Sequence, residues 1–224
     1  MYPFPENKQF RFRHIIYLHA AFSIGILVIR IFSEVSVTYA FLIWNLALAY
    51  IPYLLSRKLI TLKPGVVSVS LLALWLLFFP NAPYLITDFI HLHRRPTDSF
   101  WIDLVVFYSF ALNGLAIGFV SLNKVYQWLQ KFYHRSVAMI TVHVALSAAA
   151  FGIYLGRIER WNSWDLFMDP FQLIRNIYHL LFPLGEQIHV WMFTLLFGVF
   201  LTAHYYFFLH VSDQFKMKHH EDPS

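Results

Sequence analysis

The stretch Phe78–Arg95, reading FFPNAPYLITDFIHLHRR, gathers many of the chain's chemistry-bearing side chains into one short run. Asp88 and His91 stand three apart, His93 follows two further on, and Tyr84 and Thr87 precede them. A carboxylate and an imidazole at i and i+3 recur as ligand pairs in helical metal sites. Glu186, His189 or Asp165 could complete such a centre. His91 and His93, two apart, point differently on a helix and do not easily hold one ion. Arg94 and Arg95 offer the other chemistry, charge-assisted bonds to phosphate or carboxylate. Pro80, Asn81 and Pro83 interrupt an otherwise apolar helix, and a helix that restarts exposes N–H groups that attract anions. The alternative to both chemistries is a hydrogen-bonded helix end with histidines at the water interface.

A second polar run, Arg157-Ile-Glu-Arg160-Trp-Asn162-Ser-Trp-Asp165, lies far along the chain. Asn162 and Asp165 have capping-box-like spacing. A ligand site at the first run would draw on Asn81, Tyr84, Thr87, Asp88, His91 and Arg95. The second run would add Arg157, Arg160, Asn162 and Asp165. A third set is intramembrane: His19, His143 and His204 fall at similar depth in three apolar segments. Facing histidines can bind haem or relay protons. They can equally hydrogen-bond between helices, with Asn45 and Asn113 as partners.

The elements that must position these residues are legible from composition. The chain is 58% hydrophobic, 20% aromatic and only 13% charged, where a soluble domain carries about 25% charge. Six apolar segments, at about 15–32, 38–55, 66–90, 103–122, 137–156 and 189–210, approach the roughly 20 residues that cross a bilayer. Strand-like alternation is absent. The expected fold is all-α, a polytopic transmembrane helix bundle of six spans with a proline-broken third span. The expected domains are an N-terminal arm at 1–14, a single transmembrane domain at 15–211 and a C-terminal tail at 212–224. The first span, behind Arg11 and Arg13, reads as a retained signal-anchor helix.

Charge sets the orientation. With the N-terminus inside, all the lysines (Lys8, Lys58, Lys63, Lys124, Lys131, Lys216 and Lys218) fall on the inner side. Most of the acids fall outside. The reading is therefore N-in and C-in, in the cytoplasmic membrane, with both polar runs at the outer face. Arg30 and Glu34, four apart, are placed to pair at the outer surface.

From Val66 to Phe79 is about 21 Å of helix, so Pro80 falls within the outer leaflet. Asn81 reads as an N-cap of a short second helix over about 82–93. On α-helical spacing Tyr84, Asp88, His91 and Arg95 share one of its faces. Gly114-x-x-x-Gly118 in span 4 and the small residues Ala148, Gly152 and Gly156 in span 5 suggest that these two spans pack together. The outer loop, about 157–188, contains an Asp169-Pro170 helix start. The helix that follows is amphipathic, with Gln172, Arg175, Asn176 and His179 on its polar face. It reads as an interfacial helix on the outer leaflet or a lid over the bundle.

There are no cysteines, so disulfides, iron–sulfur clusters and thiol catalysis are excluded. No nucleophile elbow, Gly-rich phosphate loop or Rossmann fingerprint is present. The net charge of +5 reads as attraction to anionic lipid rather than nucleic acid.

The run Phe79-Pro-Asn-Ala-Pro-Tyr84 with Thr87-Asp88-x-x-His91-Leu92, and the run Gly156-Arg157-x-x-Arg160-x-Asn162-Ser-Trp-Asp165, resemble the two signatures of one family. It is the prokaryotic membrane-protein family called domain of unknown function 1361. The resemblance covers about 40–215 and implies a multi-pass membrane protein in which the two runs act as one unit. It implies no activity and no cofactor. The leading functional expectation is a pocket at the extracytoplasmic face for a polar or anionic, lipid-linked ligand, with membrane lipids as partners. The runner-up is a metal-assisted membrane enzyme using Asp88 and His91. A third class is a structural or assembly subunit without a ligand. Oligomeric state is not encoded in any motif.

Overall fold

The computed structural model describes residues 6–34, 37–94, 100–182 and 187–217, with side chains over 14–33, 37–92, 100–182 and 187–212. Among the described residues every regular element is helical. The order is α1 (Glu6–Glu34), α2 (Phe41–Leu59), α3 (Val66–Phe78), α4 (Asn81–Tyr84), a 3-10 helix (Leu85–Arg94) and α5 (Phe100–Phe132). Then come α6 (Arg135–Arg157), α7 (Asp165–Met168), α8 (Pro170–Leu181) and α9 (Ile188–Met217). The all-α expectation holds. Among the described residues five stretches are long and apolar enough to cross a membrane: His14–Ser33, Val66–Leu92, Phe100–Phe132, Arg135–Arg157 and Ile188–Ser212. α2 is not among them. Asn45, Tyr50 and Tyr53 inside it, and Arg57 and Lys58 at its end, lower its hydropathy.

The chain divides into two compact units, Met1–Met139 and Ile140–Ser224. In the first, α5 is the central helix. Its buried residues, from Val106 and Phe110 through Ile117 to Leu129, cover most of its circumference. α2 lays a stripe against the core, Leu42, Leu46, Ala49, Tyr53, Ser56 and Leu59, at the three- and four-residue spacing of one helical face. α1 buries Ile16, Ser23, Leu27 and Arg30. Polar contacts fix the far end. Trp75 Nε1 donates to Ser121 Oγ at 2.7 Å. Trp128 Nε1 donates to the Leu62 carbonyl at 2.9 Å, and Lys131 Nζ to that of Ile60 at 3.3 Å. The α2–α3 turn is thereby tied to the end of α5.

In the second unit α6 buries a small-residue face, including Ala145, Ala149, Ala150 and Ile153. Gly198 of α9 lies 4.0 Å from the Ala150 side chain, measured from where its Cβ would stand. Tyr154, Leu180 and Val190 form a small cluster that pins α8 to the ends of α6 and α9. Leu195, Leu196 and Val199 of α9 stay exposed, as side chains that face hydrocarbon would.

Candidate functional site

The interruption in the third span is a tightening of the helix rather than a turn. Phe79, Pro80 and Leu85 all keep right-handed helical dihedrals. Neither proline can donate a backbone N–H, so the local bonding is rearranged. Ala82 N–H donates to the Phe79 carbonyl at 3.2 Å and Tyr84 N–H to that of Pro80 at 3.0 Å. Asn81 departs from its expected role. Pro80 occupies the N-cap position without a side-chain cap bond. The Asn81 amide instead donates backwards to the Phe78 carbonyl at 2.9 Å. Thr87 Oγ1 likewise donates to the Tyr84 carbonyl at 2.7 Å. Two of the predicted site residues therefore serve the backbone of the break itself.

The segment beyond the break is a 3-10 helix of ten residues, where an α-helix was expected over 82–93. Runs of this length are uncommon, and side chains at i and i+3 eclipse one another in them. The shared face is thus Leu85, Asp88 and His91, rather than the Tyr84, Asp88, His91 and Arg95 of α-helical spacing. Leu85 and Asp88 are buried, and His91 is half-buried. Leu85 packs where Gly114 leaves room. A Cβ on Gly114 would stand 2.6 Å from Leu85 Cδ1 and closer still to the Ala82 carbonyl oxygen. A Cβ on Gly118 would stand 2.9 Å from that of Ala82. The GxxxG pair thus receives the break of the third span, which corrects its expected role of packing span 4 on span 5.

Asp88 is fully buried and accepts from the Asn45 side-chain amide at 3.1 Å. The His91 ring meets Phe41 edge-on at 5.1 Å and lies nearly parallel to Phe107 at 6.5 Å. Phe107 in turn packs edge-on against Tyr39, 4.8 Å between centroids. Tyr39 leads to a second charged group. Its hydroxyl donates to Asp103 Oδ2 at 3.1 Å, and the Arg30 guanidinium lies 4.8 Å above its ring. Arg30 Nε donates to Asp103 Oδ1 at 2.7 Å, with both side chains almost wholly buried. Arg30 is therefore turned inward onto α5; the side chain of Glu34, its expected partner, lies outside the described residues. One end of the first unit holds two buried carboxylates, one guanidinium and one imidazole, linked by aromatic rings. Charged groups inside membrane-spanning segments are costly unless paired and mark functional positions by default.

A separate layer lies further along the helices. Asn113 accepts from Tyr50 Oη at 3.1 Å, donates to the Ile16 carbonyl at 3.2 Å and lies 3.3 Å from His19 Nδ1. His19 thus takes the interhelical hydrogen-bond role, with Asn113 as its partner. The other two intramembrane histidines belong to the second unit. His143 Nε2 lies 3.2 Å from Tyr206 Oη, and His204 Nδ1 lies 2.8 Å from the Phe200 carbonyl of its own helix. Each has a hydrogen-bond partner among the described residues. His143 also lines a groove of about 490 Å³ with Ser147, Trp191, Thr194 and Gly198. Trp191 Nε1 and Thr194 Oγ1 are buried there without hydrogen-bond partners among the described residues.

The second polar run is also in the second unit. Asp165 Oδ2 accepts from the Asn162 backbone N–H at 2.6 Å and from its side-chain amide at 3.3 Å. These bonds have the expected spacing but close the turn before α7, whose N-cap position is held by Trp164 without a side-chain cap bond. Arg160 is exposed and holds a left-handed φ of 63°. Arg157 is half-buried. Asp169 caps α8 by accepting from the Gln172 N–H at 3.2 Å, with Pro170 in the first turn, as expected. Asn176, expected on the polar face of α8, points inward instead. It accepts from Trp161 Nε1 and donates to Glu159 Oε2, each at 3.1 Å. Of the further candidates, Arg95 and Glu186 lie outside the described residues, as do the side chains of His93 and Arg94. Among the described residues no group of three metal-binding side chains assembles, so Asp88 and His91 gain no third ligand there.

Spacing along the chain does not join Arg30, Tyr39, Asn45 and Asp103 to Asp88. The available signal was polarity out of place, since each of them lies in or beside an apolar segment.

Long apolar helices with a buried polar interior define a multi-pass helical membrane protein. The chain belongs to the protein family of unknown function DUF1361, whose model matches residues 44–203. No curated protein and no solved structure matches it. The matched range contains both polar runs and Asn45, Asp103 and Asn113, and begins after Arg30 and Tyr39.

Proposed function

We propose that the protein resides in the cytoplasmic membrane of a prokaryote, with both termini in the cytoplasm, and binds a polar ligand at the extracytoplasmic end of its first unit. The observation that carries the reading is Asp88. Its carboxylate is fully buried in a membrane-spanning stretch and shares a 3-10 face with His91. Such a group is retained against its solvation cost where it has work to do. Asp88 and His91 offer a ligand one acceptor and one group able to donate or accept. Because the site lies in a membrane-spanning stretch, the reading extends to a lipid-linked member of that class.

The ligand reading is tested by native mass spectrometry of purified protein. A bound small species is expected on wild type and lost in Asp88→Asn and His91→Ala. Wild-type protein free of any adduct would count against it. Elemental analysis of the same samples distinguishes a metal, which would favour a metal-assisted enzyme. Sidedness follows from single cysteines in this cysteine-free chain. In intact cells a membrane-impermeant maleimide should label Asn162→Cys and spare Ser136→Cys. The reverse pattern would overturn the orientation.

A further inference from the structure

The segment from Arg160 to Phe182 carries an inference that does not rest on the Asp88 site. α8 has three distinct faces. Leu173 and Leu180 are buried, and Asn176 on the same side is bonded to Trp161 and Glu159. Phe171, Ile174 and Tyr178 form an outward apolar stripe at three- and four-residue spacing. Phe171 is 86% exposed, and Met168, just before the helix, is 80% exposed. Gln172, Arg175 and His179 make up the remaining exposed face. Arg175 lies one turn from Phe171, at the border between the apolar and polar faces.

The charged groups of this segment differ in their partners. Each described carboxylate, with Glu159 just before the segment, accepts a hydrogen bond from a neutral donor. Glu159 accepts from Asn176, Asp165 from Asn162, and Asp169 from the Gln172 N–H. Arg160 and Arg175 are both exposed and have no partner among the described residues. Arg160 is held in the left-handed region, which costs a non-glycine residue about 1 kcal/mol or more, within a turn fixed by the Trp161 bonds to Leu155 and Asn176. The surface therefore combines a bare apolar stripe with two guanidinium groups that no carboxylate pairs among the described residues.

We infer that this surface docks on anionic phospholipid, with the Phe171–Ile174–Tyr178 stripe in the acyl region and Arg160 and Arg175 on the phosphates. The occupant is identified by charge complementarity. It is also identified by continuity, because Ile188, Met192 and Leu195 of α9 are exposed apolar residues in the same unit. An amphipathic helix with basic residues beside its apolar face binds the headgroup boundary in this way. Guanidinium groups bond phosphate through paired N–H donors.

The test uses the full chain in vesicles, labelled with an environment-sensitive fluorophore at Phe171→Cys or Gln172→Cys. Spin-labelled lipid should quench the label at 171, and aqueous iodide the label at 172. In mixed phosphatidylcholine and phosphatidylglycerol vesicles, spin-labelled phosphatidylglycerol should quench position 171 several-fold more than spin-labelled phosphatidylcholine. That preference should vanish in Arg160→Gln/Arg175→Gln and in high salt, while the variant keeps its helical circular dichroism. Iodide quenching at 171 would overturn the inference. So would shielding of 171 from both quenchers, which means a protein cover. Equal quenching by the two lipids, or a preference that survives the double substitution, overturns it as well.

Discussion

Arg30 and Asp103 are 73 residues apart in the chain and meet at 2.7 Å inside the first unit, joining α1 to the start of α5. The pair is buried and shares Asp103 with the Tyr39 hydroxyl. Removing one member leaves the other charge buried alone, which typically costs about 3–5 kcal/mol. Arg30→Met and Asp103→Leu should each lower the melting temperature strongly in detergent. The double substitution should recover most of the loss, because a buried pair replaced by apolar groups is often close to neutral. A double variant as unstable as the sum of the singles would show that the pair contributes more than mutual neutralisation.

The close approach of the third span to α5 depends on Gly114. Its missing Cβ is occupied by the Ala82 carbonyl and Leu85, and that of Gly118 by Ala82. Gly114→Ala should destabilise by about 1–3 kcal/mol, as overpacking does. Gly25→Ala is the control. Nothing lies within 4 Å of its Cβ position, and alanine is the better helix former. Thermal unfolding followed by circular dichroism separates the two. Equal melting temperatures for both variants would mean that the break can shift away from α5.

The bounds of several spans are readable because apolar run length is a property of sequence alone. The predicted 66–90 segment became Val66–Leu92, and 137–156 became Arg135–Arg157. The face of the third span was not readable. Whether Asp88 aligns with Tyr84 or with Leu85 depends on the helix type, and the 3-10 geometry follows from prolines, glycines and partner helices acting together. GxxxG announced a close approach without naming the partner. Arg30 had an obvious local partner in Glu34, and only tertiary packing supplies Asp103. Asp169 is predictable as a cap because capping is local.

Asn81 and Pro83 should be coupled. Pro83 has no N–H to give to the Phe79 carbonyl, and Ala82 donates there instead. The Phe78 carbonyl is left for the Asn81 amide. Asn81→Ala should cost about 1–3 kcal/mol, the usual loss for a buried group left unsatisfied. In a Pro83→Ala background residue 83 can donate to Phe79 and Ala82 can return to Phe78, so the same change should cost little. A double-mutant cycle on melting temperature measures the coupling, expected between about 0.5 and 3 kcal/mol. Additive losses would show that Phe78 does not depend on this amide.

Two buried hydrogen-bonding groups should respond to substitution in opposite directions. Ser121 accepts from the buried Trp75 indole, so Ser121→Ala strips an acceptor from a donor that water cannot reach. A loss of about 1–3 kcal/mol is expected. Thr194 Oγ1 is buried without a partner among the described residues. Thr194→Val keeps the shape and removes the unpaired hydroxyl, so stability should stay level or rise by up to about 1 kcal/mol. Thermal unfolding of both variants in one detergent gives the comparison. A fall in Thr194→Val as large as that in Ser121→Ala would mean that the hydroxyl is paired in the working protein. The most direct source of such a partner is a molecule seated in the groove where Thr194 lies beside Trp191.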